Sequence, residues 1–271
     1  MSLIDPKALQ EIHQETLPLI QEAGRLAMKH FQNVAAERKP DRSYVTAADR
    51  EVEALLRDEF EKRFPAFGII GEEHGTSQVD QAECVWAIDP IDGTEPFVLE
   101  MPVWAVSVGL VAKTGPLLGY VMLPAIDQLY TAVTGQPAYE NDRVIETHPH
   151  TTLGPGTTII GPSSTFHHFN TSYPGRVLSF GSAAAHLAFV SRGKLHGGIF
   201  EKINLYDIAG GACILQSAGG VMRYLSGDDV NLWDLVESPS HQTREALTVG
   251  HPENAEQLRH QFSQKSEPTA Q

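Results

Sequence analysis

The chain has 271 residues, 41% hydrophobic and 20% charged, a composition typical of a globular protein with a sizeable core. With 34 acidic and 20 basic residues its formal net charge is −14, which argues against nucleic acid or an anionic membrane as a partner. The two cysteines, Cys84 and Cys213, lack metal-binding spacing. The N-terminus lacks signal-peptide features, and apolar runs are too short to cross a bilayer. We therefore expect buried thiols and a cytoplasmic location.

Two helices are predicted in the first quarter of the chain. Apolar residues recur at helical spacing over residues 6–33, and we expect Pro18 to kink or divide that helix. Thr46 and Asp49 have the three-residue spacing of a capping box, which predicts a second helix over residues 47–63.

Two buried strands then end abruptly in acidic residues followed by glycine. Residues 67–70 lead into Gly71-Glu72-Glu73-His74-Gly75 at 71–75, and residues 84–88 lead into Asp89-Pro90-Ile91-Asp92-Gly93-Thr94 at 89–94. Ligand sites of layered α/β proteins gather where strands end. These two segments are therefore candidates for a site.

The rest of the sequence predicts a meander followed by alternating strands and helices. The predicted elements are a hairpin of strands 103–112 and 117–123, a strand at 129–133, a polar stretch at 136–157, strands at 158–161 and 177–180, a helix at 182–192, a strand at 195–200, a helix at 205–217, and strands at 221–225 and 246–249. This order predicts an α/β (α+β) fold of layered sheets and helices. We expect one domain over residues 1–262, with sub-regions of about 1–150 and 151–262, and a disordered tail at 263–271.

Acidic residues at four places form the candidate constellation. They are Asp49, Glu72 with Glu73, Asp89 with Asp92, and Asp207. Taken singly, Asp49 reads as a helix-capping acid, the glutamates as solvated loop charge, and Asp207 as a partner of a helix dipole. The turn at 89–94 is harder to explain that way, because proline and glycine lock two repelling acids together. Mg²⁺ prefers such carboxylate oxygens and keeps water ligands for substrate phosphates.

The turn also suggests how a phosphate is held. Pro90 stiffens it, so that Asp89, Asp92 and the Ile91 carbonyl face one place, and glycine lets the backbone approach a ligand closely. If a helix begins at Thr94, its first N–H groups bind an anion.

Five segments resemble the inositol monophosphatase family of metal-dependent sugar phosphatases, in the family's order and across about residues 40–250. They are VTAAD (45–49), GEEHG (71–75), WAIDPIDGT (86–94), SFGSAAAHLAFVSRGKLHG (179–197) and YDIAGGACILQSAGG (206–220). The resemblance implies a layered αβαβα sandwich of the sugar-phosphatase type, a homodimer, inhibition by lithium, and two or three Mg²⁺ ions.

The resemblance also implies roles for individual residues. Glu72, Asp89 and the Ile91 carbonyl would bind a first Mg²⁺, Asp92 and Asp207 would join Asp89 around a second, and a third, weaker ion would lie near Glu72. The catalytic residues would be Thr94, Asp49 and Glu72, with Thr94 and Asp49 orienting and deprotonating the attacking water. Backbone N–H groups of Gly93 and Thr94 would hold the phosphate. The residues expected to contact the substrate alcohol are Asp92, Gly181, Ser182, Ala183 and Glu201.

Three positions depart from the family pattern. Pro96 stands where an asparagine is common, Leu99 where a histidine is frequent, and Tyr206 where a tryptophan usually precedes the last metal-binding aspartate. Tyr206 and Pro-Val-Trp at 102–104 are similar to the histidinol-phosphatase branch.

The predicted function is Mg²⁺-dependent hydrolysis of a small phosphate monoester by in-line attack of water. Inositol 1-phosphate or a related polyol phosphate is the first candidate, and histidinol phosphate is the alternative. A non-catalytic metal-binding or regulatory protein is the hypothesis from another class. Lys39 is expected either to approach the metal site or to be solvated, and the histidines are expected on the surface, away from any zinc site.

Overall fold

The computed structural model describes residues 4–32, 36–38, 44–149 and 152–265, and Lys39 lies outside them. The helices in these ranges are α1 (Pro6–His30), α2 (Ala47–Arg63), α3 (Thr94–Val98), α4 (Thr165–His168), α5 (Ala183–Ser191), α6 (Leu205–Ser217), α7 (Leu232–Glu237) and α8 (Pro252–Arg259). The strands are β1 (Ala36–Arg38), β2 (Tyr44–Thr46), β3 (Gly68–Gly71), β4 (Gly75–Ser77), β5 (Cys84–Asp92), β6 (Ala105–Ala112), β7 (Gly115–Leu123), β8 (Gln128–Val133), β9 (Ala138–Glu140), β10 (Arg143–Ile145), β11 (Thr158–Ile160), β12 (Phe169–Thr171), β13 (Arg176–Leu178), β14 (Gly198–Phe200), β15 (Val221–Tyr224), β16 (Leu247–Gly250) and β17 (Phe262–Gln264).

Helix α1 runs unbroken past Pro18, so the predicted division of this helix was wrong. Asp5 caps its start by accepting a hydrogen bond from the Lys7 amide at 3.2 Å. Leu19 and Ile20, directly after the proline, are buried against the first sheet. This burial offsets the hydrogen bond that proline cannot donate.

An eight-stranded sheet carries both acidic strand ends. Its order is β10-β9-β8-β7-β6-β5-β3-β4, and β3 and β5 are parallel, with Gly71 opposite Ile88. Parallel pairing brings the carboxyl ends of both strands to one edge of the sheet. The loop that follows β3 therefore lies beside the turn at 89–94.

A second sheet of five strands, in the order β13-β11-β14-β16-β15, is built from the later part of the chain. Helices α5 and α6 contact both sheets and lie between them. Helices α1 and α2 cover the outer face of the first sheet, and α8 packs against the second. The predicted layered α/β sandwich is confirmed.

Helix α6 approaches the first sheet so closely that both surfaces need glycine. A Cβ atom added to Gly119 would lie 2.3 Å from the Gly210 carbonyl oxygen, and one added to Gly210 would lie 2.6 Å from the Tyr120 oxygen. Close packing thus compensates for the low helix propensity of Gly210.

Several element bounds differ from the predicted ones. The polar stretch at 136–157 contains the short strands β9 and β10, and the predicted strand at 195–200 is limited to β14. Residues 263 and 264 belong to β17, which pairs with β12, so the assignment of these two residues to a disordered tail was wrong. None of the helices in the described ranges has the length and apolar character needed to span a membrane.

Candidate functional site

Six acidic residues converge at the carboxyl edge of β3 and β5 in two adjoining groups. Carboxylate oxygens of Asp89, Asp92 and Asp207 lie within 4.8 Å of one another, and the same holds for Asp49, Glu72 and Glu73. Asp89 and Asp92 are buried, whereas Asp207 is only partly so. The structure thus brings together every acidic residue that the sequence assigned to the constellation.

Three of these acids also bind the first turns of helices that begin at the site. Asp49 and Asp207 are each the third residue of a helix and accept a hydrogen bond from the backbone N–H of Thr46 (2.8 Å) and Asn204 (3.0 Å) respectively. Asp92 accepts hydrogen bonds from the first amides of α5. The helix N-termini partly offset the concentrated negative charge. The predicted capping role of Asp49 is confirmed, Asp207 lies at a helix start as its dipole interpretation requires, and both also belong to the acidic groups.

The two carboxylate oxygens of Asp49 have different partners: one caps helix α2 and the other faces Thr94 in the site. Its Oδ2 accepts hydrogen bonds from the Thr46 amide and hydroxyl, at 2.8 and 2.6 Å. Its Oδ1 accepts from Thr94 Oγ1 at 3.4 Å, and the same hydroxyl lies 3.2 Å from the Ile91 carbonyl oxygen. Burial raises the pKa of Asp49, and the charge of Glu73 adds to this effect.

Asp89, Asp92 and Asp207, here called the central aspartates, lie in an environment that strongly disfavours negative charge. Burial raises the pKa of Asp89 well above its ordinary value, and the charge of Glu72 adds to this. Burial also raises the pKa of Asp92 to about 6, against the lowering effect of the Ser182 hydrogen bond. The pKa of Asp207 is raised to about 7, by burial and then by the charges of Asp92 and Glu72.

This arrangement fits a divalent cation. Hard carboxylate oxygens in close proximity are the ligand set that Mg²⁺ takes. Burial and then mutual repulsion raise the pKa values of Asp89 and Asp207, and a positive ion bound between these carboxylates would stabilise their charged forms. The Ile91 backbone is held in the same turn, because its N–H donates to Asp89 Oδ1 at 3.1 Å.

Gly93 and Thr94 form the start of α3. Gly93 has φ +88°, in the left-handed region, and a Cβ atom there would lie 3.0 Å from the Ser182 Cβ. Glycine is thus required both by the backbone and by the approach of residues 181–183. In the described part of the chain no side chain caps α3, so the amides of its first turn are available to an anion.

A cleft of about 390 Å³ opens beside the acidic residues. Its lining includes all the residues that the sequence assigned to the substrate alcohol, namely Asp92, Gly181, Ser182, Ala183 and Glu201. Glu201 Oε1 lies 2.5 Å from Ser164 Oγ and 2.8 Å from His168 Nδ1. His168 was predicted only as a surface residue, because nothing in its sequence neighbourhood points to Glu201.

The sequence also missed two charged residues beneath the Glu72 loop. Glu53 is fully buried and forms an ion pair with Arg57 at 2.8 Å. Both lie on the inner face of α2, in a four-residue series that begins at Asp49 and alternates with Val52 and Leu56. Charged residues at helical spacing on an otherwise apolar face were the available signal.

The three departures from the family pattern lie at or near the site. Pro96 is buried in the first turn of α3, and a Cβ atom on Gly181 would lie 2.8 Å from its Cγ. Leu99 is 60% exposed. Burial and the charge of Asp207 raise the pKa of the Tyr206 hydroxyl, which keeps it protonated.

Comparisons with known proteins agree with this geometry. The sequence profile of the inositol monophosphatase family matches residues 8–267. A Sinorhizobium fredii protein described as "uncharacterized protein y4fL" is 34% identical over 228 aligned residues, covering 80% of this chain and 81% of the relative. An inositol-1-monophosphatase of Mesorhizobium japonicum is 32% identical over 221 residues, covering 76% of this chain and 82% of the relative.

The fold is shared with solved structures as well. A Thermotoga maritima IMPase superposes with a TM-score of 0.78 at 26% sequence identity, and the match covers 92% of this chain and 96% of that chain. The family profile spans nearly the whole chain, from the first helix to the last strand. The chain therefore belongs to the inositol monophosphatase family, a family of phosphatases.

Proposed function

We propose that this protein is a Mg²⁺-dependent phosphomonoesterase that hydrolyses a small polyol phosphate, with inositol 1-phosphate as the first candidate substrate. The observation that carries the proposal is the convergence of Asp89, Asp92 and Asp207, with oxygens within 4.8 Å of one another, beside a cleft that Asp92 and Asp207 line. The name of the Mesorhizobium relative, an inositol-1-monophosphatase, supports this choice of substrate.

In this proposal the acidic residues hold two or three Mg²⁺ ions. Glu72, Asp89 and the Ile91 carbonyl bind one, Asp89, Asp92 and Asp207 bind another, and a third, weaker site lies near Glu72. When bound, the ions supply charge neutralisation on the phosphate and lower the pKa of bound water. The chain's own residues supply orientation and proton transfer.

Thr94 and Asp49 form the proposed route for the proton of the attacking water. The Thr94 hydroxyl has a single proton, which it donates either to Asp49 Oδ1 at 3.4 Å or to the Ile91 oxygen at 3.2 Å. As this proton passes to Asp49, the Thr94 oxygen takes a proton from water, so that Thr94 ends as a neutral hydroxyl and Asp49 holds the proton. The raised pKa of Asp49 suits a carboxylate that receives a proton.

The phosphate and the alcohol occupy different parts of the cleft in this proposal. The N–H groups of Gly93 and Thr94 hold the phosphate at the start of α3. Gly181, Ser182 and Ala183 line the cleft beside the alcohol, and Glu201 accepts a hydrogen bond from a substrate hydroxyl. Ser164 and His168 both contact Oε1 of Glu201, so its other oxygen remains for that hydroxyl. Membership of the family adds lithium inhibition and a homodimer to the proposal, and the free, buried Cys84 and Cys213 support a cytoplasmic location.

The test is phosphate release from a panel of esters, with Mg²⁺ and with a chelator. The panel contains inositol 1-phosphate, histidinol phosphate, adenosine 3′,5′-bisphosphate and fructose 1,6-bisphosphate. We expect the highest kcat/KM for inositol 1-phosphate and no release with chelator. A preference for histidinol phosphate would assign the alternative substrate. Absence of release from every ester would replace the proposal with a non-catalytic metal-binding role.

A further inference from the structure

The loop that carries Glu72 and Glu73 rests on a buried ion pair. Glu53 is fully buried and the Arg57 side chain is 10% exposed, and the two are joined at 2.8 Å. Buried charges of this kind are costly unless they are paired and hydrogen-bonded. Both residues come from α2, one and two turns after Asp49. Their charged groups contact each other and the backbone of the loop, which is the arrangement of positioning residues.

The ion pair hydrogen-bonds to the loop backbone at three consecutive residues. Glu53 Oε2 accepts a hydrogen bond from the Glu73 amide at 2.7 Å, and its Oε1 accepts from the His74 amide at 3.0 Å. Arg57 donates through Nη2 to the Gly75 carbonyl oxygen. Three consecutive residues after Glu72 are therefore fixed to α2 by charge-assisted hydrogen bonds, the stronger class.

The strand before the loop is shaped to admit the same pair. A Cβ atom on Gly71 would lie 2.1 Å from Glu53 Oε1 and 3.0 Å from Arg57 Nη2. Gly71, the residue directly before Glu72, thus leaves space for the carboxylate. On the other side, the Glu72 amide donates to the Ile88 carbonyl at 3.2 Å. The backbone of Glu72 is therefore held between β5 and the ion pair.

Electrostatic repulsion between the acidic residues explains why the loop needs this attachment. Carboxylate oxygens of Glu72, Glu73 and Asp49 lie within 4.8 Å of one another, so these like charges repel. Without a restraint, that repulsion favours movement of the loop away from the other acids. Residues that contact and orient metal ligands without binding the metal themselves commonly tune the metal affinity of the site.

We infer that Glu53 and Arg57 are positioning residues for the cation site: they hold the Glu72–Glu73 loop against the central aspartates and thereby raise Mg²⁺ affinity. The inference rests on the Mg²⁺ site of the proposed function. It does not depend on which ester is hydrolysed.

The test compares Glu53→Gln with Glu59→Gln, both in the purified full-length chain. Glu59 is the matched control, because it pairs with Arg63 in the same helix at the same four-residue spacing but is partly exposed, whereas Glu53 is fully buried. Mg²⁺ binding is measured by calorimetry in the absence of substrate. The Mg²⁺ dependence of phosphate release is measured separately.

We expect Glu53→Gln to weaken Mg²⁺ binding about 10-fold or more, while kcat at saturating Mg²⁺ changes far less. Glu59→Gln is expected to match the wild type in both measurements. Unchanged Mg²⁺ affinity in a folded Glu53→Gln protein would overturn the inference. If the wild type binds Mg²⁺ but hydrolyses no ester, only the proposed function fails.

Arg57→Lys decides the matter if Glu53→Gln does not fold. Lysine keeps the positive charge beside Glu53 but lacks the planar fork that reaches the Gly75 carbonyl as well. A smaller but measurable loss of Mg²⁺ affinity supports the inference. Wild-type affinity in this variant would mean that Arg57 only stabilises the fold.

Discussion

Asp92 is bound to Ser182, which lies ninety positions later in the chain. The Ser182 hydroxyl and the Ala184 amide donate to Asp92 Oδ2, and the Ala183 amide donates to Oδ1 at 3.1 Å. Asp92 ends β5 in the first sheet, whereas residues 182–184 begin α5. One carboxylate thus links the acidic residues to the segment that lines the cleft. A carboxylate accepts about four hydrogen bonds or ligands, so Asp92 retains capacity for a cation.

The first prediction concerns Ser182→Ala. Ser182 donates to Asp92 and also accepts from the Ala185 amide at 3.2 Å as the cap of α5. We expect the free energy of unfolding in urea to fall by about 1–2 kcal/mol, and the Mg²⁺ affinity to fall as well. Asn231→Ala is the control, since it removes the cap of α7 away from the site. Equal effects of both variants on Mg²⁺ affinity would contradict the prediction.

The second prediction is that Asp92→Asn abolishes turnover and preserves the fold. An amide at this position keeps one acceptor oxygen but loses the charge that binds a cation. We expect kcat/KM for the preferred ester to fall more than about 100-fold, beyond what residues behind a metal ligand usually contribute. The circular dichroism spectrum should be unchanged. Glu100→Gln, which removes an exposed carboxylate, is the control and should retain wild-type kcat/KM. Retained activity in Asp92→Asn would remove this residue from the mechanism.

The turn at 89–94 is recognisable in the sequence because its chemistry is local. Pro90 and Gly93 restrict the backbone within six residues, and no distant contact is needed to see that two acids are held together. The capping boxes of Asp49 and Asp207 are local in the same way. A capping acid and a site acid look alike in sequence, since the distinction lies in the direction of the second carboxylate oxygen.

The remaining site contacts join residues that are far apart in the chain. The pairing of His168 with Glu201 joins α4 to the residue after β14, and the contact of Glu53 with the Glu73 amide joins α2 to the loop after β3. Sequence periodicity predicts that a helix face is buried, but not which loop it meets. Pro18 illustrates a similar limit, because packing against the sheet overrides a local helix-breaking signal.

The third prediction tests the contact between Gly181 and the unusual Pro96. Gly181 has φ +78°, and an added Cβ atom would lie 2.8 Å from Pro96 Cγ. Gly181→Ala therefore combines backbone strain, which costs about 1–2 kcal/mol, with a steric clash at the cleft. Gly135→Ala is the matched control, since Gly135 has φ +80° and no atom within 4 Å of an added Cβ.

We expect Gly181→Ala to lower the free energy of unfolding further than Gly135→Ala and to raise KM, which the control leaves unchanged. Adding Pro96→Ala to Gly181→Ala should remove the difference from Gly135→Ala in both the free energy of unfolding and KM, because it removes the clashing ring. Both quantities follow from urea denaturation and steady-state kinetics. Equal destabilisation by the two alanines would show that strain alone governs position 181.

The fourth prediction concerns pH and the metal-free protein. The pKa of Asp207 is raised from 3.8 to about 7 in the fold, so the native state binds the extra proton. Its contribution to stability is therefore fully present below the unfolded pKa and is lost as the pH rises through about 7. Asp207→Asn lacks this titration. With chelator present, the variant should become more stable than the wild type on going from about pH 5 to about pH 8, by about 2 kcal/mol.

With Mg²⁺ added, we expect the wild type to be more stable than Asp207→Asn at the higher pH. At the higher pH a cation that binds the native state stabilises the wild type by mass action, and the variant gains less because it lacks a ligand. The acidic residues that make the metal-free fold less stable are thus the ones that make the loaded protein stable. Urea denaturation at both pH values, with chelator and with Mg²⁺, gives four free energies of unfolding for each protein. An equal pH dependence of stability in the two proteins would mean that the fold does not raise the pKa of Asp207.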